Sequence, residues 1–208
     1  MSSLRKSTSP EIKDQIRNQN QIAIQAANKL LEKSLSDVEM RNFLNDNNQK
    51  CKIITYKELA NCRDIDELLN PYDCTVICYL TGSMEYGHWT CLFKNQKGIN
   101  YFDSYGKPPD NPLDYKSINP DVRKMSHEDY CHLLEMLEEC TKEGNRVFYN
   151  QFKYQDNNPM TATCGRWCLS RILLKDKTTK QFHKIIQECC SIEKCSPDEL
   201  VVMLTKDA

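Results

Sequence analysis

An α+β fold, with a central mixed and mainly antiparallel sheet flanked by helices, is predicted by three features of the sequence. Short β-branched and aromatic runs cluster between residues 51 and 154, bounded by Pro, Gly, Asp and Asn. Helical patterns lie mostly before and after them, the segregated arrangement of an α+β domain. The chain has 208 residues, which suits one compact core with a small extension and would crowd two.

The elements follow in order. Residues 1–50 read as a helical extension and 51–208 as the main domain. In "SPEIKDQIRNQNQIAIQAANKLLEKSL", Ser9 is a cap, Pro10 takes the first helical position and Glu11 lies in the first turn. Ile16, Ile22, Ile24, Ala27, Leu30 and Leu31 then make an imperfect helical stripe. Ser36, with Glu39 three residues on, is a capping box for a second helix. The polar "NDNNQK" at 45–50 marks the boundary.

"CKIITY" (51–56) predicts a strand, "YKELANCRDIDELL" (56–69) a helix and "CTVICYL" (74–80) a buried strand. "HWTCLFK" (88–94) and "INYFDSY" (99–105) are the next two strands, joined by the hairpin-like "NQKG". A loop covers 107–120, an amphipathic helix runs over 126–142 and ends at Gly144, and "RVFYNQFKY" (146–154) is a further strand. After the loop "QDNNPMTAT", an apolar helix begins at Cys164. Two more helices close the chain, the last opened by Ser196 as cap, Pro197 at the first position and Glu199 completing a capping box.

Composition removes several function classes. A formal net charge of −1 supplies no basic field for nucleic acid or an anionic membrane. No apolar run reaches the roughly 18–20 residues of a membrane helix, and the first residues carry no signal-peptide core. The twelve cysteines are therefore expected as free thiols. Cys189, Cys190 and Cys195 with upstream His183 are the best zinc set, but adjacent cysteines on a helix point apart. Packing explains them better, and no metal is expected.

"ATCGRWCLSRIL" (162–173) carries the chemistry. A nucleophilic cysteine acts as thiolate, and a helix N-terminus favours it through partial positive charge and unpaired N–H groups. Cys164 stands at that position, beside Gly165, whose lack of a side chain leaves room for a substrate. Cys168 lies one turn deeper among apolar residues that raise a thiol pKa, so it is assigned to the core.

Of the four histidines, His127 and His132 sit on an amphipathic helix and His183 on a Lys/Gln-rich one. His88 opens a strand after "MEYG" and precedes Trp89. If the strands at 88–94 and 99–105 pair, Asp103 shares its open end and can accept the imidazole Nδ1–H bond, leaving Nε2 for the thiol. Gln155, nine residues before Cys164, is an amide donor for an oxyanion together with the Cys164 N–H. On spacing alone a solvated loop residue explains it as well, and Asp103 reads equally as a turn cap.

Together, "GHW" (87–89), "YFDSYG" (101–106), an upstream Gln and "TCGRWC" (163–168) resemble the cysteine peptidases typified by the adenovirus maturation protease and the SUMO-specific proteases. Those peptidases run His, then Asp, Glu or Asn, then Gln, then Cys at the start of a buried central helix. The resemblance spans about residues 74–175. It implies His88 as general base, Asp103 as its orienting acid, Cys164 as nucleophile, Gln155 in the oxyanion hole, and Trp89 walling a narrow cleft. The sequence departs from that pattern at 157 and 158, both Asn, where the family places its Gln. "YNQFKYQ" (149–155) is similar to a longer-spaced segment of large-DNA-virus and virophage members, which favours Gln155 and leaves Gln151 and Asn158 as alternatives.

What the resemblance implies is a viral maturation endopeptidase without cofactor, cleaving capsid or core precursors after small Gly-containing motifs. Its place would be the virion or the viral factory in the host cytoplasm. Some relatives take an activating peptide, a role the N-terminal segment is able to fill. The alternative is a hydrolase of ubiquitin-like proteins, with the same catalytic residues.

Overall fold

The computed structural model describes residues 25–83, 86–111, 121, 124 and 130–208. The cap at Ser9–Glu11, the apolar positions 16, 22 and 24, and His127 lie outside the described residues. The elements are helix α1 (25–32), α2 (Asp37–Asp46), β1 (Lys52–Thr55), a 3-10 turn (Tyr56–Asn61), α3 (Ile65–Leu69), β2 (Cys74–Ser83), β3 (Tyr86–Asn95), β4 (Gly98–Phe102), α4 (His132–Lys142), β5 (Val147–Tyr149), α5 (Cys164–Leu173), α6 (Thr179–Glu193) and α7 (Pro197–Leu204). The α+β expectation holds.

One five-stranded sheet has the order β1-β2-β3-β4-β5. Its centre is antiparallel, β2 with β3 and β3 with β4, and both outer strands are added parallel. The mixed sheet arises because β1 and β5 return through helical connections, α3 and α4, whereas the central strands are joined by tight turns. Alternation then buries both faces. Val76, Cys91, Phe93 and Phe102 meet Met40 and Leu44 of α2, Trp167 and Leu169 of α5, and Phe182 of α6. Ile77, Tyr79, Leu92 and Tyr101 face Leu68 of α3 and Leu133 and Leu137 of α4.

Several boundaries differ from the expectation. The central hairpin is longer, so His88 lies inside β3 opposite Tyr79 instead of at its start. The strand expected over 99–105 ends at Phe102, and the one expected over 146–154 shrinks to three residues. Helix α4 starts at His132, six residues later than read. Helix α2 carries the predicted capping box of Ser36 and Glu39, and α7 that of Ser196 and Glu199.

Helix α5 lies along β3. A Cβ on Gly165 would stand 3.3 Å from Trp89, and the Cys91 thiol faces the Cys168 carbonyl. At its far end Arg171 is buried, with its guanidinium 4.4 Å over the Phe93 ring and donating to the Leu174 and Lys177 carbonyls. Both ends of α5 are thus fixed, and its N-terminus is held level with His88.

Candidate active site

Cys164 is the first residue of α5, and the Trp167 N–H to Thr163 carbonyl bond (3.0 Å) opens the helix. A Thr at this position ordinarily turns its oxygen back to cap the first-turn N–H groups. Thr163 makes no such bond; its hydroxyl donates instead to Asp198 at 2.5 Å. The first-turn N–H groups are left without this cap, which suits an anion at the helix start.

His88 and Asp103 meet as the pairing of β3 with β4 dictates. That register, Cys91 opposite Phe102, continues to put Asp103 opposite Thr90, whose side chain shares a face with His88. The His88 Nε2 stands 3.2 Å from Asp103 Oδ2, with 5 % and 0 % of the two residues exposed. The Cys164 thiol is within hydrogen-bond reach of the same ring. The ring is therefore turned over relative to the expectation: Nε2, not Nδ1, faces the carboxylate. Burial pulls the imidazole pKa down, but the Asp103 carboxylate and then the Cys164 thiol outweigh it and push it up to about 10. A neighbour able to carry negative charge on each side favours imidazolium.

Two residues that the sequence reading passed over hold this arrangement. Tyr105 stacks on the His88 ring, centroids 5.1 Å apart, and its N–H donates to Asp103 Oδ1 at 2.6 Å. Asn150, just past β5, accepts from the Asp103 N–H (2.9 Å) and donates to the Asp103 carbonyl (2.8 Å) and to that of Phe152 (2.9 Å). This residue ends β5 by bonding the Asp103 backbone. Asn150→Ala is expected to destabilise the protein by about 2–3 kcal/mol, since it strands buried backbone groups. Urea unfolding measures this, and a loss under about 0.5 kcal/mol would contradict it.

Gln155 is not the solvated loop residue that spacing alone allowed. It is 2 % exposed, its carbonyl accepts from the Ser104 hydroxyl (2.8 Å) and its amide donates to the Thr161 carbonyl (2.9 Å). Gln151 is exposed and bonds the Tyr149 hydroxyl; Asn158 is exposed and accepts from the Met160 N–H. Trp89 donates its indole N–H to the Leu35 carbonyl at 3.1 Å. It lines a groove of about 470 Å³ with Leu35, Ser36, Asp37, Thr55 and Cys78. A Cβ at Gly165 would stand 3.3 Å from Leu35, Met40 and Trp89 alike, so the glycine lets these three close over α5.

Cys168 is fully buried, and burial with Cys91 beside it pushes its thiol well up. His183 stacks on Phe152, ring centroids 3.7 Å apart. Among the described residues, no three His, Cys, Asp or Glu side chains are grouped to hold a metal, and no helix is long and apolar enough to cross a membrane.

No protein-family model matches the chain. Solved structures that it resembles include the SUMO protease Ulp1 with its catalytic cysteine oxidised to a sulfinic acid: 15 % identity, 83 % of this chain and 79 % of that one covered, TM-score 0.36. Another is the C-terminal Ulp1 protease domain in complex with Smt3, the yeast orthologue of SUMO: 13 % identity, 97 % and 98 % covered, TM-score 0.35. The sequence itself aligns with a virophage protein over 173 residues at 37 % identity, covering 83 % of this chain and 94 % of the relative. The chain belongs to the family of that relative, the uncharacterized protein V9 of Sputnik virophage.

Proposed function

We propose that the protein is a cysteine endopeptidase that matures viral capsid or core precursors. The observation that carries this reading is the meeting of Cys164 at a helix N-terminus with His88, itself bonded to buried Asp103. A thiol, a ring able to hold its proton and a carboxylate behind the ring are the parts of thiol acyl transfer. The virophage relative favours a viral setting, either the virion or the host cytoplasm where it assembles. The peptidase domain is 51–208, with 1–50 as an extension whose helix α2 packs into the core.

In this mechanism the Cys164 thiolate adds to the scissile carbonyl. The oxyanion takes hydrogen bonds from the Cys164 N–H and from the Gln155 amide. Collapse breaks the C–N bond, and protonated His88 gives its proton to the leaving amine. Water then attacks the thioester, His88 accepts its proton, and the acid product leaves as the thiolate is restored. Trp89 walls the groove offered to the substrate, whereas Gly165, buried beneath Leu35, Met40 and Trp89, serves close packing instead of the substrate room expected of it. A narrow channel selects small Gly-containing motifs beside the scissile bond.

Co-expression with virophage capsid precursors tests the substrate class. The wild-type protein is expected to shorten a precursor, and Cys164→Ala to leave it intact. Intact precursors together with cleavage of a ubiquitin-like C-terminal fusion would replace the maturation role by that of a ubiquitin-like-protein hydrolase.

A further inference from the structure

We propose that Asp198 is a positioning residue of this site, aligning the nucleophile with one carboxylate oxygen and the oxyanion loop with the other. The inference rests on the peptidase reading above. Asp198 is the second residue of α7 and is 7 % exposed. Its Oδ1 accepts from the Thr163 hydroxyl at 2.5 Å and from the Trp167 indole at 3.1 Å. Its Oδ2 accepts from the Asp156 N–H at 2.8 Å. Thr163 immediately precedes Cys164, Trp167 lies one turn on, and Asp156 follows Gln155. A single side chain therefore spans the two segments whose relative placement sets thiolate against oxyanion donor.

Helix α7 does not need this carboxylate at its own start. Ser196 and Glu199 already make a complete capping box there. The Asp198 side chain is directed across to α5, where it has a specific consequence. An ionised carboxylate only accepts, so the Thr163 hydroxyl must donate to it, and Thr163 makes no cap bond to the α5 N–H groups. The clamp thus fixes Thr163 in the rotamer that leaves the start of α5 free for an anion. A cavity of about 420 Å³ lined by Leu31, Gln155, Asp156, Thr161 and Asp198 adjoins the clamp. The loop has space to move into once its bond is lost.

Asp198→Asn divides the two halves. An Asn keeps a carbonyl oxygen for Thr163 and Trp167, but meets the Asp156 N–H with an amide N–H, donor to donor. Two reagents read the halves separately on the full chain. Iodoacetamide alkylates a thiolate with no oxyanion, whereas p-nitrophenyl acetate acylates it through one; modification at Cys164 is followed by mass spectrometry. For Asp198→Asn, acylation is expected to fall about tenfold, by misplacement of the oxyanion donor, with alkylation within about twofold of wild type. Asp198→Ala is expected to slow both.

Acylation by Asp198→Asn within twofold of wild type would overturn the proposal, as would an equal loss of both reactions. Should the Asp198 variants not fold, Thr163→Val cuts the nucleophile half alone. It is expected to slow alkylation about fivefold by misplacing the start of α5, with Thr163→Ser restoring it, and a wild-type rate in Thr163→Val overturns the proposal equally. A different result would sink the peptidase reading itself: wild-type Cys164 acylated no faster than in His88→Ala.

Discussion

Cys164→Ala is expected to remove acyl transfer altogether, a loss of more than about 10⁴-fold, the scale seen when a nucleophile is deleted from a peptidase triad. The same residue is expected to be the first alkylated by iodoacetamide among the twelve thiols. Reactivity needs thiolate and access together. Burial raises the thiol pKa of Cys51, Cys168 and Cys190, the last to about 11. Cys74 is lowered by the Cys51 thiol, but it is fully buried. Cys131 is exposed and stands at the start of α4, so it is the thiol against which Cys164 is measured. Among the described residues, Cys164, 6 % exposed, combines a helix N-terminus on one side with an imidazolium-favouring histidine on the other. Peptide mapping after a short iodoacetamide pulse should find it labelled at least about tenfold faster than Cys131, since thiolate fraction sets the rate. His88→Ala should erase that advantage. Labelling of Cys131 first in the native protein would mean that Cys164 is not activated.

The parts of this site that the sequence disclosed are those whose signal is local. Cys164 stands out because a loop, a Gly and an apolar helical run meet there. His88 and Asp103 stand out because two adjacent strand patterns share a hairpin end. Long-range partners left no such trace. Asp198 sits inside a capping motif that already explains its residue type, and its bonds reach 31 to 42 residues back along the chain. Asn150 looks like the middle of a strand, but it leaves the ladder to bond Asp103, 47 residues away. The same tertiary contact cut β5 to three residues. The turn of the His88 ring is equally hidden, because which nitrogen meets the carboxylate is set by rotation about the side-chain torsions, which no strand pattern encodes. Helical segments with strong caps, by contrast, began where Ser36 and Ser196 placed them.

Asp103→Ala should convert His88 from a charged partner of the thiol into a buried neutral ring. With Asp103 present, burial lowers the imidazole pKa, but the carboxylate and the Cys164 thiol raise it to about 10. Take the carboxylate away and burial is opposed by the thiol alone, so the pKa falls towards or below the ordinary value near 6.5. At pH 8 a histidine of pKa 6.5 is only about 3 % protonated, against nearly all of it at pKa 10, so the imidazolium partner of the thiol should be lost about thirtyfold. The pH dependence of stability carries the same sign. A group whose folded pKa lies above its unfolded one stabilises fully below about 6.5, and that contribution is lost as pH rises towards 10. Wild-type stability should therefore decline between pH 7 and 10 by an amount that Asp103→Ala does not share. Two measurements check this: the iodoacetamide rate at pH 8, and urea unfolding at pH 7 and pH 10 for both proteins. Equal alkylation rates and parallel pH–stability curves would show that Asp103 does not charge the ring. Cys164 would then have to be activated by the helix start alone, which is worth at most about 2 kcal/mol and falls short of what a peptidase nucleophile needs.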